Sequence, residues 1–247
     1  MHVEEIANLK PGIYDYIDFG CSWGANMTYN DKVFRGCKGL GIDIDEKKVS
    51  RAKSDGHDAI AFDILKLPNN KITSFVTMSH FLEHLPGNND ASKFISKAIS
   101  ISNDFVFIRQ PWFDSDGQLL IDDLKYYWSD WHGHPNTMSS LAMFGILKRH
   151  IENGAIREFR IYGRTKVISS DDPCIIPLNA PRDSLKYDQN KHGIKKKVAF
   201  NFRAYRELIA IVIINDSNKY EPLLSSVGVM DLLRAERRPE TFNAGGN

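Results

Sequence analysis

Cysteine is scarce in this chain: Cys21, Cys37 and Cys174 are three, odd in number and widely spaced. That excludes a disulfide framework and a cysteine-based zinc site, and it fits a reducing compartment. Long apolar runs are missing too, since the most apolar stretch, residues 208–214, is far too short to span a bilayer. Met1-His2-Val3-Glu4-Glu5 lacks the basic start and apolar core of a secretory leader, so the chain reads as cytoplasmic, with no membrane insertion. Neither sign of charge dominates. Lys and Arg number 32 against 31 Asp and Glu, a net charge of +1, which removes the broad basic excess that favours DNA, RNA or an anionic membrane. Internal repeats and low-complexity segments are absent. What remains is 247 residues, 42% apolar and 26% charged, enough for one large α/β domain carrying insertions or a lid.

The chain opens with alternating elements. Residues 14–19 predict a first strand after the Pro11-Gly12 turn, and 40–44, 59–62 and 75–79 predict three more. Residues 46–55 predict a helix closed by Gly56, and 91–102 another with Phe94, Ile95, Ala98 and Ile99 on one face. A fifth strand, 105–108, stops at Gln110-Pro111. Strand–helix–strand alternation implies parallel pairing through right-handed crossovers. Residues 112–136 then lose any clean period, 137–153 resume as a helix, and 156–162 and 207–214 read as late strands. Residues 112–136 and 164–206 are two irregular insertions, and 243–247 a frayed end.

Four of the early strands end in polar signals: Asp18-Phe19-Gly20-Cys21-Ser22-Trp23-Gly24, Gly41-Ile42-Asp43-Ile44-Asp45, Ala61-Phe62-Asp63-Ile64, and Ser79-His80-Phe81-Leu82-Glu83-His84-Leu85. In open α/β sheets, that carboxyl edge is where ligands bind. The order resembles the class I S-adenosylmethionine (SAM)-dependent methyltransferases, in particular a small-molecule and sugar-type branch with a Ser-x-x-x-Glu-His-Leu segment. The resemblance covers about the first 110 residues by motif and the remainder by element order. It implies a Rossmann-like sheet of seven mostly parallel strands, helices on both faces and the last strand antiparallel.

SAM carries no phosphate, so the three-glycine loop of a dinucleotide site is not required. The spacing here is Asp-x-Gly-x-x-x-Gly, with Ser22 where the family usually has a glycine. Gly20 and Gly24 permit a sharp turn and close approach of the Cys21 and Ser22 backbone. The resemblance assigns Asp18 to the ammonium of the methionyl tail, directly or through water, and Asp43 to the ribose diol beside Ile44. It assigns Asp63 to the adenine amino group, with Phe62 or Ile64 over the ring, and Ser79 and His80 to the methionyl tail. Asp45 is a weaker candidate for the diol. A carboxylate suits a vicinal diol because it only accepts hydrogen bonds.

Methyl transfer to an alcohol needs alignment and the loss of a proton, which favours a base. His132 and His134, in Trp131-His132-Gly133-His134-Pro135-Asn136, are the first candidates, with His80 next. Tyr126, Tyr127, Trp128 and Trp131 offer an apolar wall. Gln110, Trp112, Trp128 and Trp131 are the expected acceptor contacts. His-x-His can hold a metal, but no third ligand is apparent in the local sequence, so none is expected. His84 reads as a packing residue. The basic segment 186–206, with Tyr187, Phe200, Phe202 and Tyr205, suits either a solvated face or an anionic acceptor.

The function expected is therefore methyl transfer from SAM to an oxygen of a small or sugar-like acceptor, free or linked to a nucleotide, lipid or glycan. Two alternatives are an N- or RNA-methyltransferase and a catalytically silent binding subunit. Balanced charge counts against nucleic acid, and no oligomeric state can be read from the residues.

Overall fold

The computed structural model describes Leu9 and residues 12–215, 221–225 and 227–239. The expectations about Met1–Glu5, Pro11 and the tail 243–247 lie outside the described residues.

Five strands, β1 (Tyr16–Phe19), β2 (Gly39–Asp43), β3 (Ala59–Ala61), β4 (Thr73–Ser79) and β5 (Ser102–Pro111), form the parallel half of the main sheet. All four residues of β1 are buried, as expected of a central strand covered on both faces. Helix α1 (Ala25–Val33) follows the glycine loop. The next, α2 (Glu46–Ser54), begins where the Asp45 carboxylate accepts the N–H groups of Lys47 and Lys48, a cap that satisfies otherwise orphaned donors. Asp45 is thus spent on the helix start. Helix α3 (Asn88–Ile101) buries Ile95, Ala98 and Ile99 of the expected face together with Ala91, while Phe94 is half-buried.

After β5 come α4 (Asp116–Ile121), β6 (Leu124–Tyr126), α5 (Ser140–Glu152), β7 (Glu158–Lys166), β8 (Ile175–Pro177), α6 (Gln189–His192), β9 (Tyr205–Ile213), α7 (Glu221–Ser225) and β10 (Met230–Arg237). The main sheet runs β10-β7-β9-β5-β4-β1-β2-β3, eight strands rather than the seven expected. Strand β9 is antiparallel to both β5 and β7, and β10 is antiparallel to β7. Two strands therefore oppose the rest. The added edge, β10, carries Asp231, Arg234, Glu236 and Arg237, charges that suit a half-exposed border.

Both stretches expected to be irregular hold order. Strand β6 in the first pairs with β8 in the second, forming a two-stranded sheet that ties them together beside the main sheet. Residues 164–166 belong to β7, and 205–206 to β9. On one face of the main sheet Phe34, Phe75, Phe105 and Phe107 pack ring to ring, with Phe75 and Phe105 stacked at 4.4 Å. Among the described residues no helix is long and apolar enough to cross a membrane.

Candidate functional site

The carboxyl ends of β1 and β2 are stitched together by backbone. Gly20 and Cys21 donate their N–H groups to the Ile42 carbonyl at 2.8 and 3.2 Å. The Asp43 carboxylate accepts from the Ser22 N–H at 2.9 Å and the Asp45 N–H at 3.0 Å. Gly20 (φ +70°), Ser22 (φ +50°) and Gly24 (φ +90°) are all left-handed, a geometry that disfavours side chains. A Cβ on Gly20 would lie 2.2 Å from the Phe81 ring, and one on Gly24 would lie 2.4 Å from His57.

Around this loop the expected cofactor residues separate into two groups. Asp43 ends β2 with 9% of its surface exposed, Ile44 is 78% exposed beside it, and Phe62 and Asp63 are half-buried at the end of β3. Asp63 caps the short 3-10 turn Ile64–Lys66 by accepting from Leu65 N–H at 3.0 Å. The other side chains point inward. Ile64 belongs to the core, and Cys21 is fully buried, so burial pushes its thiol pKa up and only its backbone faces the loop. Ser79 is buried, and its carbonyl accepts from Asn26. Asp18 is sealed behind the loop rather than exposed at the rim. Its Oδ1 accepts from Thr77 Oγ1 at 2.6 Å and Asn30 at 3.2 Å, while Oδ2 is buried with no partner among the described residues. Burial drives its pKa up to about 7 despite those two hydrogen bonds.

Beyond the ends of β4 and β5 opens a cavity of about 490 Å³. The two inserted segments roof it with Tyr127, Trp128, Trp131 and His134 from one and Pro173, Cys174 and Lys186 from the other. The ends of the strands contribute His80, Pro111, Arg164, Arg206 and Glu207. The register that sets Arg164 opposite Glu207 on β7 and β9 brings two of these together. Glu207 receives Arg164 at 3.3 Å, Arg109 at 3.7 Å and His80 Nε2 at 3.4 Å. Burial opposes ionisation of Glu207, but the His80 hydrogen bond and the two guanidinium groups outweigh it and hold its pKa down. Tyr29 accepts a hydrogen bond from Arg164 at 2.7 Å and lies under Arg109 at 3.8 Å.

The three candidate bases have different surroundings. His80 is clamped, with Nδ1 3.2 Å from Glu83 Oε1 and its backbone left-handed at φ +50°. Burial pulls its pKa down, but hydrogen bonds to Glu207 and Glu83 prevail and raise it to about 9, so it is held as an imidazolium rather than a free base. His132 departs from expectation: its side chain is 69% exposed and bound to Asp183 outside the cavity, with ring and carboxylate 2.5 Å apart. His134 is buried and lines the cavity. It donates Nδ1–H to the Trp128 carbonyl at 3.0 Å, and burial lowers its pKa. The i, i+2 spacing turned one histidine outward and the other in.

Two of the four expected acceptor residues, Trp128 and Trp131, line the cavity. Gln110 and Trp112 are buried away from it. Gln110 donates to the Met138 carbonyl at 2.7 Å and Trp112 to Ser115 Oγ at 2.7 Å, so both are packing and wiring residues. Sequence reasoning missed Arg109, Arg164 and Glu207. A lone acid opening the apolar run 208–214 was the available signal.

The fold matches solved structures of SAM-dependent methyltransferases. One from Archaeoglobus fulgidus aligns with TM-score 0.53 and 16% identity, over 85% of this chain and 89% of that one. The YcgJ protein of Bacillus subtilis gives TM-score 0.53 and 10% identity, over 87% and 97%. A SAM-dependent methyltransferase of Thermotoga maritima gives 0.50 and 10%, over 82% and 83%. At these identities the likeness establishes the fold alone, a Rossmann-like α/β sheet flanked by helices. No family model matches the sequence, and no curated protein does.

Proposed function

We propose that this chain is a SAM-dependent methyltransferase acting on a hydroxyl oxygen of a small, polar, sugar-like acceptor. The observation that carries the reading is adjacency. A tight left-handed loop tied to the Asp43 carboxylate stands at the same sheet edge as a 490 Å³ cavity walled by aromatic rings and histidines.

The loop fits the cofactor. Each Asp43 oxygen already accepts one N–H, and each has a second lone pair for a ribose hydroxyl. Gly20 and Gly24 have no room for a side chain, which leaves backbone at the ligand's surface. Ile44 and Phe62 would cover the adenine, with Asp63 at its edge. SAM bound there supplies an electrophilic methyl group on a sulfonium.

The cavity suits the acceptor. Trp128 and Trp131 present faces for a sugar ring, and Lys186 and Arg206 suit a carboxylate or phosphate carried on it. A hydroxyl must lose its proton, and His134 brings an imidazole to this cavity with Nδ1–H already committed to Trp128. That commitment leaves Nε2 as its lone pair. Here the oxygen reading gains over nitrogen, because an amine arriving neutral has no need of this group.

Calorimetry with SAM and S-adenosylhomocysteine tests the cofactor half, and folded protein that binds neither would end the proposal. Transfer of labelled methyl across a panel of free and nucleotide-linked sugars, with amines as controls, tests the acceptor. Exclusive labelling of amines would move the assignment to nitrogen.

A further inference from the structure

We propose that Glu83, His84 and His134 form a binding site for a first-row divalent cation, Zn²⁺, Co²⁺ or Mn²⁺, on the wall of the acceptor cavity. Each of the three offers one ligand atom, and these atoms lie within 4.8 Å of one another. All three residues line the cavity. A cation with bonds of about 2.0–2.1 Å sets its donors roughly 3.4 Å apart, so the side chains must close in by up to about 1.4 Å.

The surroundings of the three donors point to a ligand. His134 donates Nδ1–H to the Trp128 carbonyl at 3.0 Å, and His84 donates Nδ1–H to the Gly133 carbonyl at 2.6 Å. Both tautomers are thereby set, and each ring is left with its lone pair on Nε2. Metal-binding histidines are oriented in this way, through a second nitrogen held by a backbone carbonyl. Glu83 is only 1% exposed. Its Oε1 is taken by His80, while Oε2 is buried without a hydrogen-bond partner among the described residues. A buried carboxylate oxygen left unpaired is costly, and a cation would satisfy it.

The scaffold that brings the donors together is also specific. Glu83 and His84 belong to the 3-10 turn Leu82–His84 after β4, whereas His134 comes from the inserted loop 50 residues later. Asn136 joins the two, with its N–H on the Glu83 carbonyl at 3.2 Å and its side chain on the Leu82 carbonyl at 3.0 Å. Two imidazoles and one carboxylate favour a borderline transition metal over Mg²⁺ or Ca²⁺, which prefer all-oxygen shells. Three protein ligands leave coordination positions open, as in catalytic sites. An acceptor hydroxyl at such a position would be acidified and release its proton to solvent, which replaces the histidine base expected from sequence. Only this last role rests on the methyl-transfer reading.

The test is titration of the chelator-stripped full chain with Co²⁺, followed by visible absorption, and with Zn²⁺, followed by calorimetry. One saturable site per chain is expected, weakened at least about tenfold by His84→Gln and by His134→Gln. Glu83→Gln should do the same. Because Glu83 is buried, the exposed His84 provides the variant least exposed to misfolding. Absence of saturable binding, or binding unchanged by both histidine variants, overturns the site. SAM calorimetry on the same samples separates the two ideas. SAM binding without cation binding removes the cation alone, and cation binding without SAM removes methyl transfer alone.

Discussion

Asp43 accepts the backbone N–H of Ser22 at 2.9 Å, so the acid ending the second strand also shapes the loop that ends the first. Removing the carboxylate therefore strips the proposed diol acceptor and frees a loop donor together. Charge-assisted hydrogen bonds of this kind contribute about 1.5–3 kcal/mol. Asp43→Ala should raise the SAM dissociation constant about 10- to 100-fold by calorimetry. Affinity within twofold of wild type would show that the diol is held elsewhere.

Gly20 faces two independent obstacles to substitution. Its φ is +70°, and a Cβ would meet the Phe81 ring at 2.2 Å. The left-handed backbone alone costs an alanine about 1–2 kcal/mol, and overpacking adds typically 1–3 kcal/mol. Gly20→Ala should thus lower the thermal midpoint by several degrees and weaken SAM binding. Adding Phe81→Leu should restore part of that loss, because the smaller side chain can yield while φ remains strained. A double variant no more stable than Gly20→Ala would mean the ring contact is immaterial.

The parallel half of the sheet was legible because its strands are short apolar runs closed by Gly, Asp or Pro, the punctuation that parallel strands require. Strand β10 was not, since Met-Asp-Leu-Leu-Arg-Ala-Glu-Arg alternates poorly and its partner β7 lies about 70 residues away. The pairing of β6 with β8 was equally hidden: three residues each, joined across some 50 positions. For the site, the acid closing a short apolar run placed Asp43 at the end of β2, where the structure has it. Asp18, which the resemblance sets at the methionyl tail, lies inside β1 with its carboxylate turned toward Asn30 and Thr77. His134 and Glu83 were each visible, but their proximity is tertiary and has no local signature.

Asp18 makes stability pH-dependent in an unusual direction. Its folded pKa of about 7 stands above the 3.8 of an ordinary aspartate, so the folded state holds the proton more tightly than the unfolded state. Its contribution is greatest below about pH 4, declines as pH rises toward 7, and is flat above. The loss is on the order of a few kcal/mol. Asp18→Asn keeps an oxygen acceptor for Thr77 and Asn30 and abolishes the titration. Urea unfolding of the ligand-free protein at pH 5 and pH 8 should show the variant gaining on wild type at the higher pH. Parallel pH profiles for the two proteins would contradict the assignment.

His132 and His134 lie two residues apart yet make opposite predictions. The His132 ring is on the surface against Asp183, outside the cavity. His132→Gln should leave turnover within about twofold of wild type. His134 is buried on the cavity wall with Nδ1–H held by Trp128 and Nε2 left to act, whether on a proton or on a cation. Groups that assist proton removal contribute roughly 10²- to 10⁴-fold in rate, so His134→Gln should reduce kcat by at least about 100-fold. SAM affinity should change little, because the glycine loop and Asp43 are untouched. Steady-state kinetics beside calorimetry reads both quantities. A large loss in His132→Gln with His134→Gln active would reverse the assignment and place the chemistry on the outer face of the loop.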